Sequence, residues 1–215
     1  MKSIVLISFL ATIALTAKTQ VKALTETGKQ VILNDDGTWK YLEDSTADQG
    51  TISTDSIRVN THKFSKTASA NFLVKSNVFN VGVYIDPSKC IFTTHKDNEV
   101  NPEYRFNLKN GNAYGILMTE KTQIELPYMP EIALVNAEKE ASDARIVNKE
   151  YRMVNNKKVL MLQMRATIRS IKFVYLGYYY SNENGTAQFL TYTTQNNFEK
   201  SQSEMEALLN GLIER

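Results

Sequence analysis

The chain has 215 residues, of which 42% are hydrophobic and 22% are charged. This length and apolar content suffice for one ordinary domain, or for one domain and a small module. The composition is not that of a disordered chain. Lys and Arg exceed Asp and Glu by only two, 25 against 23. No basic run is longer than Lys157-Lys158, which argues against the cationic face that binds a nucleic acid.

The first 17 residues predict a secretory signal peptide. Lys2 precedes an apolar segment over residues 4–15, and small and polar residues follow, as in cleaved leaders. The apolar run is shorter than the roughly 20 residues of a membrane span, although an uncleaved anchor helix is the alternative. With cleavage after Ala17, or else after Ala23, we expect export to the periplasm or the extracellular space, with no integral membrane span left.

Residues 21–42 predict a small module of three β-strands, over 21–25, 30–34 and 38–42. Asp36-Gly37 between two β-rich segments is a strong hairpin signal, because glycine accepts a positive φ. The string from Thr27 to Tyr41, with Asp36-Gly37-Thr38-Trp39 at its centre, resembles a short module near the amino terminus of many exported bacterial proteins. That resemblance implies no active site. Residues 43–62 are polar and predict a linker, so the main domain is expected over 63–215.

The main domain begins with β patterns over residues 70–74 and 78–85, which Asp86-Pro87 terminates. Strands over 104–108 and 113–120 should pair around Asn110-Gly111. A helix is predicted over 126–142, with Pro130 in its first turn.

Residues 144–215 predict an antiparallel meander followed by an amphipathic helix. The expected strands are 144–154, 157–168, 171–181 and 186–194, with turns at Asn155-Asn156 and at residues 182–185. The closing helix carries an apolar stripe of Met205, Leu208, Leu209 and Leu212. Because the helices lie apart from the strands along the chain, the fold class is α+β, with helices packed on the faces of the sheet.

This order of hairpin, helix, meander and terminal helix is similar to the PsbP-like family, which includes DcrB-type envelope proteins and the nuclear import factor that binds the GTPase Ran. Residues 115–120, 177–180 and 188–193 carry the local similarity. The resemblance implies an α/β/α sandwich that serves in binding or assembly and is not an enzyme. It transfers no functional residue to this chain.

The strand over 171–181 supplies the candidate binding residues. Alternation places Phe173, Tyr175, Gly177 and Tyr179 on one face and Val174, Leu176, Tyr178 and Tyr180 on the other. Both faces are apolar or aromatic, which predicts a central strand covered on both sides. Tyrosines that emerge at the rim would offer contact area and a hydroxyl together; the alternative is that they pack under the helices. The candidates are Tyr178, Tyr179, Tyr180 and Tyr192.

Residues for catalysis or metal binding are few. Cys90 is the single cysteine, so no internal disulfide is expected, and its apolar neighbours predict a buried thiol. His62 and His95 are the only histidines, which is too few for a zinc site. No catalytic residue, metal or cofactor is therefore predicted. Glu120 ends an apolar strand, where it is expected to be exposed, and the alternatives are a buried pair with the neighbouring Lys121 or a cleft acid.

Three functions remain open from the sequence. The first is a non-enzymatic exported binding or assembly factor of the bacterial cell envelope, monomeric, with an envelope protein as its partner. The second is a carrier of a small apolar ligand held between sheet and helix. The third is a hydrolase that uses Cys90 and His95, which are five residues apart.

Overall fold

The structure, a computed structural model, describes residues 21–24, 30–33, 38–41, 57–94 and 102–215. The predicted signal peptide, the Asp36-Gly37 turn, most of the predicted linker and His95 lie outside the described residues. The elements in chain order are β1 (Val21–Leu24), β2 (Gln30–Leu33), β3 (Trp39–Tyr41), β4 (Arg58–Phe64), β5 (Phe72–Lys75), β6 (Val81–Ile85), β7 (Cys90–Thr94), β8 (Tyr104–Leu108), β9 (Tyr114–Glu120), α1 (Met129–Glu140), β10 (Arg145–Val154), β11 (Lys157–Ile168), β12 (Ile171–Asn182), β13 (Gly185–Thr194), α2 (Phe198–Leu209) and β14 (Leu212–Glu214).

An eight-stranded sheet forms the centre of the molecule, in the order β4-β10-β11-β12-β13-β9-β8-β7. Neighbouring strands are antiparallel except β4, which pairs in parallel with β10. The predicted meander and the predicted hairpin of β8 and β9 are confirmed. β12 lies inside the sheet and is covered on both faces, as its sequence predicted.

The two tight turns of the meander share one backbone geometry but differ in sequence. Asn155 and Asn156 have φ values of 47° and 65°, and Arg169 and Ser170 have values of 48° and 67°. Asparagine tolerates this left-handed region better than most residues, so the first turn was predictable. Arg169-Ser170 adopts the same turn without that preference, because the flanking strands pair residue for residue up to Ile168 and Ile171.

One face of the main sheet is covered by α2 and by a second sheet of three strands, in the order β14-β6-β5. The side chains between these layers form the largest core cluster of the described residues. Several are fully buried: Val81, Val83, Phe106, Leu117, Tyr178, Phe189, Met205 and Leu209. The second sheet was not predicted as a separate layer.

The opposite face carries α1. A short 3-10 turn over Leu126–Tyr128 leads into the helix, and a proline occupies its first turn as predicted. Met129, Ile132 and Ala133 pack against Leu160 and Leu162 of β11. The helices therefore lie on opposite faces, and the predicted α+β sandwich is confirmed. Neither helix in the described part of the chain has the length and hydropathy that a membrane-spanning helix needs.

Leu212 does not belong to the closing helix, which corrects the prediction. α2 ends at Leu209, and Leu212 begins β14, where it pairs with Val83 of β6. Gly211 allows this change of direction, because a Cβ atom there would overlap the backbone oxygen of Tyr84. The backbone N–H of Tyr84 donates to the Gly211 carbonyl over 2.8 Å. Leu212 still reaches the core, but from a strand.

The folded domain also begins earlier than residue 63. β4 starts at Arg58, inside the predicted linker, and pairs with β10. Its side chains are mostly exposed, so the strand has no apolar pattern for sequence reasoning to detect. Polar contacts hold it instead: Asn60 Nδ2 donates to the Glu150 carboxylate over 3.0 Å, and Arg58 forms an ion pair with the same group.

The three strands predicted near the amino terminus are present as a separate antiparallel sheet, β1-β2-β3. Leu33 of β2 pairs with Trp39 of β3, and Val31 and Ile32 are buried.

Candidate ligand-binding pocket

A pocket of about 510 Å³ lies between α1 and the main sheet. Ligand sites in proteins typically have volumes of roughly 300–1,000 Å³, so this pocket is large enough for a small molecule. Its floor is formed by β9, β13, β12 and β11, and its roof by the second half of α1.

Strand register explains why the floor is apolar. Antiparallel partners place their side chains on the same face, and alternate residues share a face. Paired positions across β9, β13, β12 and β11 therefore form a row on the floor, and all four residues of that row line the pocket: Ile116, Leu190, Gly177 and Leu162. Met118 and Met164 extend the apolar floor on either side of this row.

The roof is held away from the floor by small side chains. Ala133 and Ala137 are four residues apart on α1 and face the pocket, as positions i and i+4 of a helix share a face. Ala141, which follows the helix with an extended backbone, lines the pocket as well. Near its first turn α1 instead carries Met129, which is fully buried against the sheet. The pocket exists because α1 changes from large to small side chains along the face that it turns to the sheet.

Gly177 and Tyr179 shape the middle of the floor. A Cβ atom at Gly177 would lie 2.5 Å from Leu190 Cδ2 and 3.0 Å from Tyr179 Cε2, so the Tyr179 ring folds back over the glycine. Tyr179 is 2% exposed, and burial alone raises the pKa of its phenol far above the usual value. Among the described residues, no hydrogen-bond partner of the Tyr179 hydroxyl is found.

Polar side chains gather at one end of the floor. Glu120 ends β9, and Gln188 of β13 lies beside it; both line the pocket. Burial raises the pKa of the Glu120 carboxyl, and the neighbouring Gln188 amide offsets part of that effect. The expectation of an exposed strand end was thus wrong, and the alternative of a cleft acid is correct. Asn136 and Glu140 supply further polar groups from α1, with Glu140 near Tyr175 at the other end of the floor.

The structure separates the four candidate tyrosines. Only Tyr179 lines the pocket. Tyr178 and Tyr180 lie on the opposite face and are buried there. The Tyr178 hydroxyl accepts a hydrogen bond from Arg152 Nη1 over 3.0 Å and donates to Asn210 Oδ1 over 2.9 Å. Both rings therefore pack inside the core, and a binding role for Tyr178 and Tyr180 stays a prediction.

Tyr192 belongs to a row of stacked rings beside the pocket. Its ring centroid lies 5.6 Å from that of Tyr114 and 5.7 Å from that of Tyr175. Tyr175 also lines the pocket, so Tyr192 supports a lining residue from outside. The row becomes progressively open away from α1, since Tyr114 is 43% exposed.

Other chemistry is sparse in the described residues. Cys90 is buried as predicted, and burial raises the pKa of its thiol to about 11, so little thiolate forms at neutral pH. His62 packs its ring edge to face on Phe64. Within the described part of the chain, no group of three His, Cys, Asp or Glu side chains is placed to bind a metal.

The fold and the pocket define the chain as an α+β sandwich with one incompletely filled layer. No protein-family model matches its sequence, and no curated protein matches it. Among solved structures it is similar to cyanobacterial PsbP (CyanoP) from Synechocystis sp. PCC 6803, with a TM-score of 0.51, 9% identity, and coverage of 69% of this chain and 95% of that one.

Two further structures match more weakly. A Pseudomonas aeruginosa protein of unknown function has a TM-score of 0.42, 11% identity and coverage of 67% and 96%. LpqN, described as involved in cell envelope biogenesis of Mycobacterium tuberculosis, has a TM-score of 0.40, 8% identity and coverage of 66% and 88%. Only the likeness to CyanoP has a TM-score above 0.5, so only this likeness is informative. At 9% identity it shows a common fold. The predicted PsbP-like architecture is therefore supported as a fold.

Of the four tyrosines that sequence reasoning named, one lines the pocket, and Glu120 was named as a possible cleft acid; most of the remaining lining was missed. The spacing of Ala133 and Ala137 was available as a signal, because small residues on the inner face of a helix leave room above a sheet. The floor residues of β9 and β13 carried no such signal, since a half-buried strand and a pocket floor have the same alternating pattern.

Proposed function

We propose that the protein is a non-enzymatic binding protein of the bacterial cell envelope that holds a small, largely apolar ligand in the pocket between α1 and the main sheet. The observation that carries this proposal is the pocket itself, about 510 Å³ of space with an apolar floor and polar groups at one end. Such a combination is typical of small-molecule sites, in which apolar walls give affinity and a few polar groups fix orientation.

The pocket supports binding better than catalysis. A nucleophile needs an adjacent base within hydrogen-bonding reach, and the lining contains no cysteine, serine, histidine or lysine among the described residues. The N-terminal segment favours export, because its charge and apolar length are those of a signal peptide. A secreted carrier of this kind would act outside the cytoplasm.

Binding can be tested with hexanol, octanol and decanol, neutral compounds that need only apolar space. We expect each to displace the neutral fluorescent probe N-phenyl-1-naphthylamine from the purified mature protein. Affinity should rise about fourfold per added methylene, since burying one methylene contributes about 0.8 kcal/mol. Native mass spectrometry of the protein as purified would show any ligand that it retains.

A variant that fills the pocket gives the decisive control. Ala137→Trp places a large ring where the roof faces the floor, and it should reduce octanol binding at least tenfold. Glu138→Trp makes the same addition at an exposed position of α1 outside the lining, and it should bind octanol normally. If alcohols fail to bind, or if both variants bind equally well, the pocket is not a ligand site.

An assembly factor with a protein partner is the second candidate function. It is favoured by the part of the same sheet face that lies beyond the pocket, where Ile91 and Tyr114 are 49% and 43% exposed. Large apolar groups on an open sheet face are found at protein interfaces. Cross-linking of the tagged mature protein in intact envelopes tests this function: one dominant partner, linked through β7 or β9, supports it, and background capture alone rejects it.

A further inference from the structure

We propose that the pocket selects apolar ligands with a cationic amine head group over ligands with a carboxylate. This inference rests on the proposed function and adds the charge of the ligand to it. The apolar floor accounts for the body of such a molecule, and the polar end near Glu120 would hold its head.

The sign of the charge comes from the lining. Its ionisable acids are Glu120 and Glu140, and within the described residues it contains no lysine, arginine or histidine. A carboxylate that entered would meet like charges, whereas an ammonium would meet opposite ones. Several basic residues are adjacent to lining residues by register or sequence, and none of them lines the pocket. They are Arg105, which pairs with Ile116, and Lys121, Lys139, Arg165 and Arg169, each next to a lining residue in the chain.

Glu120 is the stronger of the two acids for this purpose. Its carboxyl is half-buried, and none of the ion pairs in the described structure involves it. Glu140 is exposed at the end of α1, where solvent screens its charge. A buried carboxylate gains most from a counter-ion when no other partner is present. An amine at the Glu120 end would supply that partner.

The Tyr179 hydroxyl is a polar group in the middle of the floor and not at the Glu120 end, because its ring folds back over Gly177. It makes no hydrogen bond with the described residues, and it is not one of the fully buried unsatisfied atoms in that part of the chain. Its oxygen can accept a hydrogen bond, and its proton can be donated, to a polar group partway along a ligand. The discrimination between amine and carboxylate falls to Glu120.

The pocket is also elongated in a way that suits a linear ligand. Tyr175 of β12 lines one end of the floor. At the other end, Glu120 of β9 pairs with Thr186 of β13, which pairs with Ser181 of β12. Tyr175 and Ser181 are six residues apart on β12, and a strand rises about 3.3 Å per residue, so the floor runs for roughly 20 Å. An alkyl chain can lie along this floor with one end at Glu120.

Three ligands of equal chain length test the inference: octylamine, octanol and octanoate, each below its micelle-forming concentration at neutral pH. We expect the amine to bind at least tenfold more tightly than octanoate and several-fold more tightly than octanol. Glu120→Gln should remove the advantage of the amine over the alcohol, so that the ratio of the octylamine and octanol affinities falls to about one. Glu138→Gln removes a charge from α1 outside the lining and should leave all three affinities unchanged.

The outcomes separate the two proposals. If octanol binds and Ala137→Trp blocks it, but octylamine shows no advantage that depends on Glu120, the charge inference is wrong and the binding function stands. If none of the three ligands binds, both are wrong. Glu120→Asp keeps the charge and should retain part of the amine preference, so a folding defect of Glu120→Gln would not hide the result.

Discussion

The two faces of the main sheet are made by the same strands but are covered differently. The face under α2 is closely packed and is called the sealed face; the face under α1 has a pocket and is called the open face. On the sealed face, Met205 and Leu209 of α2 are fully buried against Phe106 and Phe189. On the other face, α1 leaves a pocket of about 510 Å³. Consecutive residues of β12 show the contrast directly. The Tyr178 hydroxyl is hydrogen-bonded to Arg152 and Asn210, whereas the Tyr179 ring lines the pocket.

The difference lies in the cover and not in the sheet. β12 carries large side chains on both faces, so the floor is similarly apolar above and below. α2 contributes Met205, Leu208 and Leu209, whereas α1 contributes Ala133 and Ala137, and Ala141 follows it. Protein interiors are close-packed, and small side chains over a wide floor leave volume unfilled. We infer that the pocket is a property of α1, which substitutions there can test.

The largest expected difference in stability between the two faces comes from placing a carboxylate under each helix. Leu209→Asp buries an unpaired carboxylate in the sealed core and should cost more than about 4 kcal/mol, enough to unfold the domain. Ala137→Asp places the same group at the pocket, where water reaches it, and should cost no more than about 1–2 kcal/mol. Circular dichroism melting curves compare the two. Equal losses would show that the pocket is as dry and closed as the opposite core.

Two glycines offer a matched test of whether each side can absorb a methyl group. Gly211→Ala should destabilise by about 3 kcal/mol, because its Cβ would overlap the Tyr84 backbone, which cannot move without breaking β6 from β14. Gly177→Ala meets the flexible ends of Leu190 and Tyr179, which can shift into the pocket, so it should cost less than about 1 kcal/mol. Urea unfolding measures both, and a Gly177→Ala loss as large as that of Gly211→Ala would contradict the open face.

The sequence predicted the architecture well because its signals were local and regular. Asn155-Asn156 and the alternation of β12 were enough to define the meander, and they required no knowledge of distant contacts. β4 was not predicted, because an edge strand held by polar contacts to Glu150 has no apolar pattern. Leu212 was assigned to the wrong element because helical spacing continued past Gly211, whose role depends on its approach to Tyr84.

The candidate site was less predictable, because a pocket depends on what is missing between two elements distant in sequence. Tyr179 and Tyr178 are adjacent and chemically identical, and only the packing of α1 and α2 gives them different roles. Glu120 presented a similar ambiguity: a strand-end acid is usually solvated. Its partial burial depends on the folded pocket, where Gln188 of β13 lies beside it, 68 residues away in the chain.

Glu150 and Glu120 extend the comparison to electrostatics, with Glu150 showing the larger effect. Glu150 is 1% exposed on the sealed side. Burial raises the pKa of its carboxyl, but hydrogen bonds from Asn60, Arg152 and Arg58 outweigh burial, and the pKa is lowered overall. Its stabilisation is therefore fully present above the unfolded pKa of about 4.3 and is lost as pH falls through the folded pKa.

Glu150→Gln should accordingly cost about 2 kcal/mol at neutral pH, since it weakens charge-assisted hydrogen bonds and leaves the largely buried Arg152 with only the more distant Glu206 carboxylate. The cost should shrink on acidification, so that the two unfolding free energies converge at low pH. Urea titrations at several pH values provide the measurement. A difference that does not change with pH would mean that shape, and not charge, holds β4 to β10.

The smallest effect is expected at Glu120, and its sign is opposite. Because the folded pKa of this carboxyl is raised by burial, the folded state binds more protons than the unfolded state between the two pKa values, and stability falls as pH rises through that interval. Glu120→Gln removes this penalty and should leave the protein as stable at neutral pH, or more stable by no more than about 1 kcal/mol once solvent screening is allowed for. The same urea titrations apply. Glu120→Gln could instead lose stability at neutral pH, as is expected of Glu150→Gln. Glu120 would then already have a cationic partner within the chain. That result would refute both the unpaired carboxylate of the open face and the preference for an amine ligand.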